Sequence, residues 1–237
     1  MFTKEINERS PLRVFEKSIH GGLGKGNMGV VMSRAGVGKT AFLIGIALDD
    51  LMRGRKVLHI AFGDTVDHVR EFYEEIFEDL RNSMHMDDAQ DTHLTVERSR
   101  MIHTYRGVPF SSAKLEMDTQ FYKDHVHFQP EVVVVDGFDF QKAEETELTA
   151  LQEYARRHNV ELWLSALTHR KDPGTNDRGI PNPVARFDSW IDVMVVLEPQ
   201  KSAVVLRLLK DHANPDVEDL HMRLDPKTLL LSADQSG

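Results

Sequence analysis

The residues from Ser33 to Thr40, SRAGVGKT, can do chemistry that the rest of the chain must support. Gly38, Lys39 and Thr40 match the end of the phosphate-binding pattern G-x-x-x-x-G-K-[ST], while Ser33 stands where the pattern has its first glycine. A strand that leaves through such a turn and opens a helix aims several backbone N–H groups at one point. With the positive end of the helix they make a phosphate cradle, here Ser33, Arg34, Ala35, Gly36, Val37, Gly38, Lys39, Thr40 and Ala41. Lys39 would reach the β- and γ-phosphates, and the Thr40 hydroxyl would hold Mg²⁺. Serine at the first position is tolerable if its φ is not strongly positive. The run EVVVVD supplies a second group: a buried strand ending in Asp136, a carboxylate placed to hold hydrated Mg²⁺ through water. The ligands expected from these residues are ATP and Mg²⁺.

These groups need a sheet with helices on its faces, and the chain reads that way. Short apolar runs alternate with helical patterns, predicting a mostly parallel α/β sheet with a carboxyl-terminal antiparallel extension. Strands are expected at Met28–Ser33, Val57–Phe62, Glu131–Asp136, Glu161–Leu167, Val193–Leu197, Ala203–Leu209 and Leu220–Leu224. Helices are expected at Lys39–Arg53, Thr65–Leu80 and around Leu148–Ala155. Between Asp87 and Phe128 the pattern suggests a helix near Thr92–Arg100, a strand near Met101–Tyr105 and a helix near Ser111–Lys123. The 237 residues are expected to form one domain, with residues 1–20 a charged amino-terminal extension.

The segment GGLGKGNMGVVMSRAGVGKT resembles the opening of the RecA-like ATPases, most closely their KaiC-like branch. The resemblance continues in order through KVLHIAFGDT, EVVVVDGFD, ELWLSALTHR, IDVMVVLEP and AVVLRLLKDH, and Asp87–Phe128 lies outside it. It implies a RecA-like phosphate-loop fold, ATP hydrolysis, and assembly into a homo-oligomer, a hexamer or a dimer. In that family the strand after the loop helix ends in a glutamate that activates the attacking water. Here the stretch reads Phe62, Gly63, Asp64, so the resemblance puts Asp64 in that role with one methylene less. Asp64 reads equally well as a first-turn acid before the helix that Thr65 caps. Thr168 falls where the family has a polar γ-phosphate sensor, and Lys210 falls on a Lys-x-Arg pair that reaches a neighbouring subunit's phosphate, with His212 in place of the arginine. A solvated lysine at a strand end is the plain alternative for Lys210.

Composition bounds the remaining classes. A net charge of -9 disfavours a broad nucleic-acid surface. In the loop Arg170–Pro183, Arg170, Lys171 and Arg178 are offset by Asp172 and Asp177, with no aromatic interleaved for base stacking. Without cysteine there is no disulfide or thiolate metal site. The twelve histidines are scattered and lack a metal-site spacing. The first twenty residues have no signal-peptide core and no run is long enough to span a bilayer, so a soluble, cytoplasmic protein without membrane association is expected. The leading reading is a slow ATPase coupling nucleotide state to oligomerisation and a protein partner. The alternatives are a non-hydrolysing nucleotide-binding scaffold and, disfavoured by the charge and by the loop Arg170–Pro183, a DNA recombination or repair ATPase.

Overall fold

The computed structural model describes residues 11–86, 88–107, 109–168, 174–201, 203–214, 217 and 220–233. Helix α1 (Pro11–Ser18) leads to strand β1 (Met28–Ser33), helix α2 (Lys39–Met52), strand β2 (Val57–Phe62), and helices α3 (Val66–Met84) and α4 (Ala89–Ser99). Strand β3 (Arg100–Tyr105), helix α5 (Ser112–Phe121) with a π-helical turn over Tyr122–Val126, strand β4 (Val132–Asp136), helix α6 (Glu145–His158) and strand β5 (Glu161–Leu167) follow. A 3₁₀ segment (Val184–Trp190) precedes strands β6 (Val193–Pro199), β7 (Val204–Asp211), β8 (Met222–Leu224) and β9 (Leu231–Ala233).

The strands form one sheet in the order β3-β2-β4-β5-β1-β6-β7-β8-β9. Pairings from β3 to β6 are parallel, and those from β6 to β9 antiparallel. The α/β class and the antiparallel extension therefore match the expectation. The parallel strands are apolar on both sides because helices cover both faces. Residues that alternate along β1, β4 and β5 separate cleanly: Val31, Val132, Val134 and Trp163 face the α2 layer, and Met28, Val30, Val133, Leu162 and Leu164 face the α5–α6 layer.

Helix α2 is apolar nearly all round, as a helix enclosed by other elements must be. It packs on the sheet with one side and against α1, α3 and α4 with others. Gly29 is required where β1 passes β5, since a Cβ there would sit 2.5 Å from the Trp163 ring. The amino-terminal stretch is more than an extension: α1 buries Phe15 edge-on against Phe42. An ion network also ties it to α2, with Arg53 2.7 Å from Glu16 and 2.8 Å from Asp49. Residues 1–10 lie outside the described residues.

The region between Asp87 and Phe128 carries the expected helix, strand and helix, with β3 at the sheet edge. Strand β9 and the helix α1 were not anticipated; each is short, and neither has an apolar period long enough to read. No helix among the described residues is long and apolar enough to cross a membrane.

Candidate phosphate-binding site

Because β1, β2, β4 and β5 run parallel, their carboxyl ends Ser33, Phe62, Asp136 and Leu167 share one edge of the sheet. The two-residue alternation sets Ser33, Ser165 and Asp136 on the α2 side, level with the first turn of α2. Strand β4 is not paired with β1; β5 runs between them and brings Ser165 into the gap.

Asp136 is gripped from both sides. Thr40 Oγ1 donates to its Oδ2 over 2.6 Å, and Ser165 Oγ donates to its Oδ1 over 2.6 Å. The Gly137 N–H donates to Ser165 Oγ at 2.7 Å, fixing the hydroxyl's orientation. Ser165 escaped sequence reasoning, although a lone hydroxyl inside the apolar run ELWLSAL was the available signal. The adjoining hydroxyl of Thr40 and carboxylate of Asp136 form a hard-oxygen set of the kind Mg²⁺ prefers.

The loop between β1 and α2 owes its shape to Gly36 and Gly38, whose φ angles are 73° and 116°. Ser33 keeps an ordinary strand conformation, which is why its side chain is tolerated there. Gly38 caps α2 without any side-chain hydrogen bond, so the first-turn amides have no side-chain cap competing for them. Ala35 and Gly36 are exposed, Val37 leans on the core, and the buried Ala41 can offer only its backbone. Lys39 folds back: its Nζ donates to Ser33 O at 3.3 Å, Ser33 Oγ at 3.2 Å and Arg34 O at 3.2 Å. Burial lowers the Lys39 ammonium below the ordinary lysine value, while the Asp136 charge pulls it back up.

Thr168 sits beside this loop, its N–H donating to Ser33 O at 3.0 Å. Asp64 follows β2 at the same edge. Its Oδ1 accepts from the Thr65 N–H at 2.7 Å, its Oδ2 lies 3.8 Å from His68 Nε2, and Thr65 caps α3 through the His68 N–H. Lys210 is elsewhere. β7 runs antiparallel, so Lys210 pairs with Met194 near the start of β6, at the opposite edge of the sheet. Its Nζ is 2.5 Å from Asp188 O and 3.0 Å from Asp188 Oδ1. His212 turns inward, with Nδ1 2.8 Å from Asp211 Oδ1 and Nε2 donating to Leu23 O at 3.0 Å. Both hydrogen bonds hold its pKa above the usual imidazole value against the opposing effect of burial.

Behind the site, His59 is fully buried on β2 with Nδ1 3.0 Å from Tyr73 Oη. Burial takes its pKa down to about 4, partly countered by Asp136. Two carboxylate clusters elsewhere are already occupied by guanidinium groups. Arg100 meets Glu74 and Glu97 beside His93, and Arg53 meets Glu16, Asp49 and Asp50. An open depression of about 630 Å³ between the end of α3 and the start of α4, lined by Arg81, His85 and Gln90, holds none of the motif residues. His169 to Pro173, including the basic Arg170 and Lys171, lie outside the described residues. Arg178 is 3.3 Å from Asp188 Oδ1.

No protein-family model matches the chain, and no curated protein matches it significantly.

Proposed function

We propose that the chain is an ATP-binding protein of the RecA-like, KaiC-like kind that hydrolyses ATP slowly with Mg²⁺. Nucleotide state would be coupled to homo-oligomerisation and to binding of a protein partner. The observation that carries this reading is the convergence of Lys39, Thr40 and Asp136 at the amino end of one buried helix. Such an end attracts a polyphosphate through its free amides and its dipole. Lys39 would exchange its loop oxygens for phosphate oxygens, and Thr40 with Asp136 would hold Mg²⁺, the latter through water. The metal would neutralise charge on the β- and γ-oxygens as the terminal phosphoryl group departs.

Hydrolysis rests on Asp64, which would orient the attacking water by accepting its proton. Phosphate release from wild type, Lys39→Ala and Asp64→Asn tests it, with ATP binding measured in parallel. Wild-type turnover above both variants supports the ATPase. Tight ATP binding with turnover no higher than that of Lys39→Ala removes it.

A second reading, a scaffold that binds nucleotide without hydrolysing it, draws on one observation. The Asp64 carboxylate already accepts the amide of Thr65, the residue that caps α3, and so supports the start of that helix. Under that reading Asp64→Asn changes helix stability and leaves phosphate release at the background level.

A further inference from the structure

Ser33 is the residue of the loop that a phosphate-binding turn does not call for, and it is almost fully buried at the end of β1. Its hydroxyl donates to Arg34 O at 2.8 Å and accepts from Lys39 Nζ at 3.2 Å. The same ammonium reaches Ser33 O at 3.3 Å and Arg34 O at 3.2 Å. A lysine ammonium has three N–H donors, so these oxygens satisfy all of them. With glycine at this position only the two carbonyls would remain.

We infer that Ser33 is a latch: its hydroxyl completes an internal oxygen cage around Lys39 that a polyphosphate must displace. Ser33 thereby sets how tightly the loop holds an anion. The inference rests on the polyphosphate reading of the site and adds to it a residue that acts through Lys39. Stripping even a half-buried cation of its partners costs free energy, so the cage stabilises the loop that holds no anion. An incoming β- or γ-phosphate must offer Lys39 more than the cage does. Removing one acceptor raises the energy of the empty state and leaves the lysine–phosphate contact intact. Affinity should then rise for ligands that reach Lys39 and stay constant for those that do not.

Two measurements on wild type, Ser33→Ala, Ser33→Gly and Ser33→Thr test the latch. The first is acylation of Lys39 in the nucleotide-free protein, followed by peptide mass spectrometry with the exposed Lys201 and Lys227 as internal references. Losing a hydrogen bond to a charged group should speed Lys39 acylation about tenfold in Ser33→Ala and Ser33→Gly. Ser33→Thr, which restores the hydroxyl, should return to the wild-type rate. The second is the affinity for ATP and for tripolyphosphate against that for AMP. Both polyphosphates should bind about fivefold tighter to Ser33→Ala, with AMP unchanged. Unchanged acylation in folded Ser33→Ala and Ser33→Gly overturns the latch whether or not nucleotide binds. Weaker or equal polyphosphate binding by those variants overturns it too. Faster acylation with no polyphosphate binding by any variant defeats the proposed function instead, and the role of the cage in affinity falls with it.

Discussion

Thr40 and Asp136 stand 96 positions apart in the chain, yet the threonine hydroxyl donates to the carboxylate across 2.6 Å. The contact joins the first turn of α2 to the end of β4, over the intervening strand β5. Any ligand drawn to either group therefore meets both. Sequence order hides this contact; the parallel sheet makes it, because parallel strands deliver their carboxyl ends to one edge.

Ser165 should prove as important to that edge as either of them. Its hydroxyl donates to Asp136 and accepts the Gly137 amide, and it is buried. Ser165→Ala removes the buried hydroxyl that joins the Gly137 amide to an Asp136 carboxylate oxygen, a loss of about 1–2 kcal/mol. Urea unfolding should show this as a lower midpoint with an unchanged slope. On the proposed function, the Mg²⁺ concentration needed for half-maximal ATP binding should rise as well, because Asp136 loses one of its two anchors.

The two loop glycines should differ in their tolerance of a methyl group. Gly36 has φ 73° and open space around its Cα, so Gly36→Ala meets only the left-handed backbone penalty of about 1 kcal/mol. Gly38 has φ 116°, and a Cβ there would lie 2.6 Å from the buried Leu224 side chain. Gly38→Ala should therefore cost more, about 2–4 kcal/mol, as backbone strain and overpacking add. Thermal unfolding of the two variants side by side checks the order. Equal midpoints would show that the loop relaxes away from β8.

His59 should make stability depend on pH. Its pKa falls from 6.5 to about 4 on folding because the imidazole is buried. Between those values the unfolded chain binds a proton that the folded chain refuses. The contribution is complete above the unfolded pKa and drains away as pH falls toward the folded one. Full loss is on the order of 3 kcal/mol. His59→Phe removes the titration, so the stability difference between wild type and variant should narrow from about pH 7.5 to about pH 5. Groups such as Asp50, whose pKa burial raises to about 7, titrate in the same window with the opposite sign. They are common to both proteins and cancel in the difference. A difference independent of pH would mean that His59 takes up its proton within the fold.

Much of this was legible in the sequence because it is local. The strand–loop–helix around Lys39 is announced by glycines and a period change, and VVVVD by its β-branched run. The turn at Asp225 is announced by DPKT, where the Asp225 carboxylate accepts from the Lys227 and Thr228 amides at 2.7 and 3.0 Å. What was not legible depends on strand order. Nothing in ELWLSAL says that its serine will face Asp136, since that follows from β5 lying between β1 and β4. Nothing near Arg13 or Phe15 says that α1 will dock on α2, because its helical pattern is too short to stand out. The histidines look scattered along the chain, yet His59 is a fully enclosed core residue. His85 and His127 end helical segments in the left-handed region, where an αL cap is needed.

Lys210 puts the subunit arrangement to the test. Within one chain it lies at the edge of the sheet opposite the loop between β1 and α2, tied to Asp188 by both its carbonyl and its carboxylate. It therefore cannot serve its own loop, and any action on a phosphate must come from a neighbouring chain. Such an action has a price: the contacts with Asp188 must open when the neighbour's nucleotide is engaged. If the proposed assembly forms, Lys39→Ala and Lys210→Ala subunits should each be inactive alone. Mixed, they should regain phosphate release, because some interfaces then pair an intact loop with an intact Lys210. Asp188→Ala should loosen Lys210 and leave its charge in place, so turnover should be retained while the folded protein loses about 1 kcal/mol or more. A mixture no more active than its parts, with Lys210→Ala as active as wild type, would make Lys210 a structural partner of the 3₁₀ segment and nothing else.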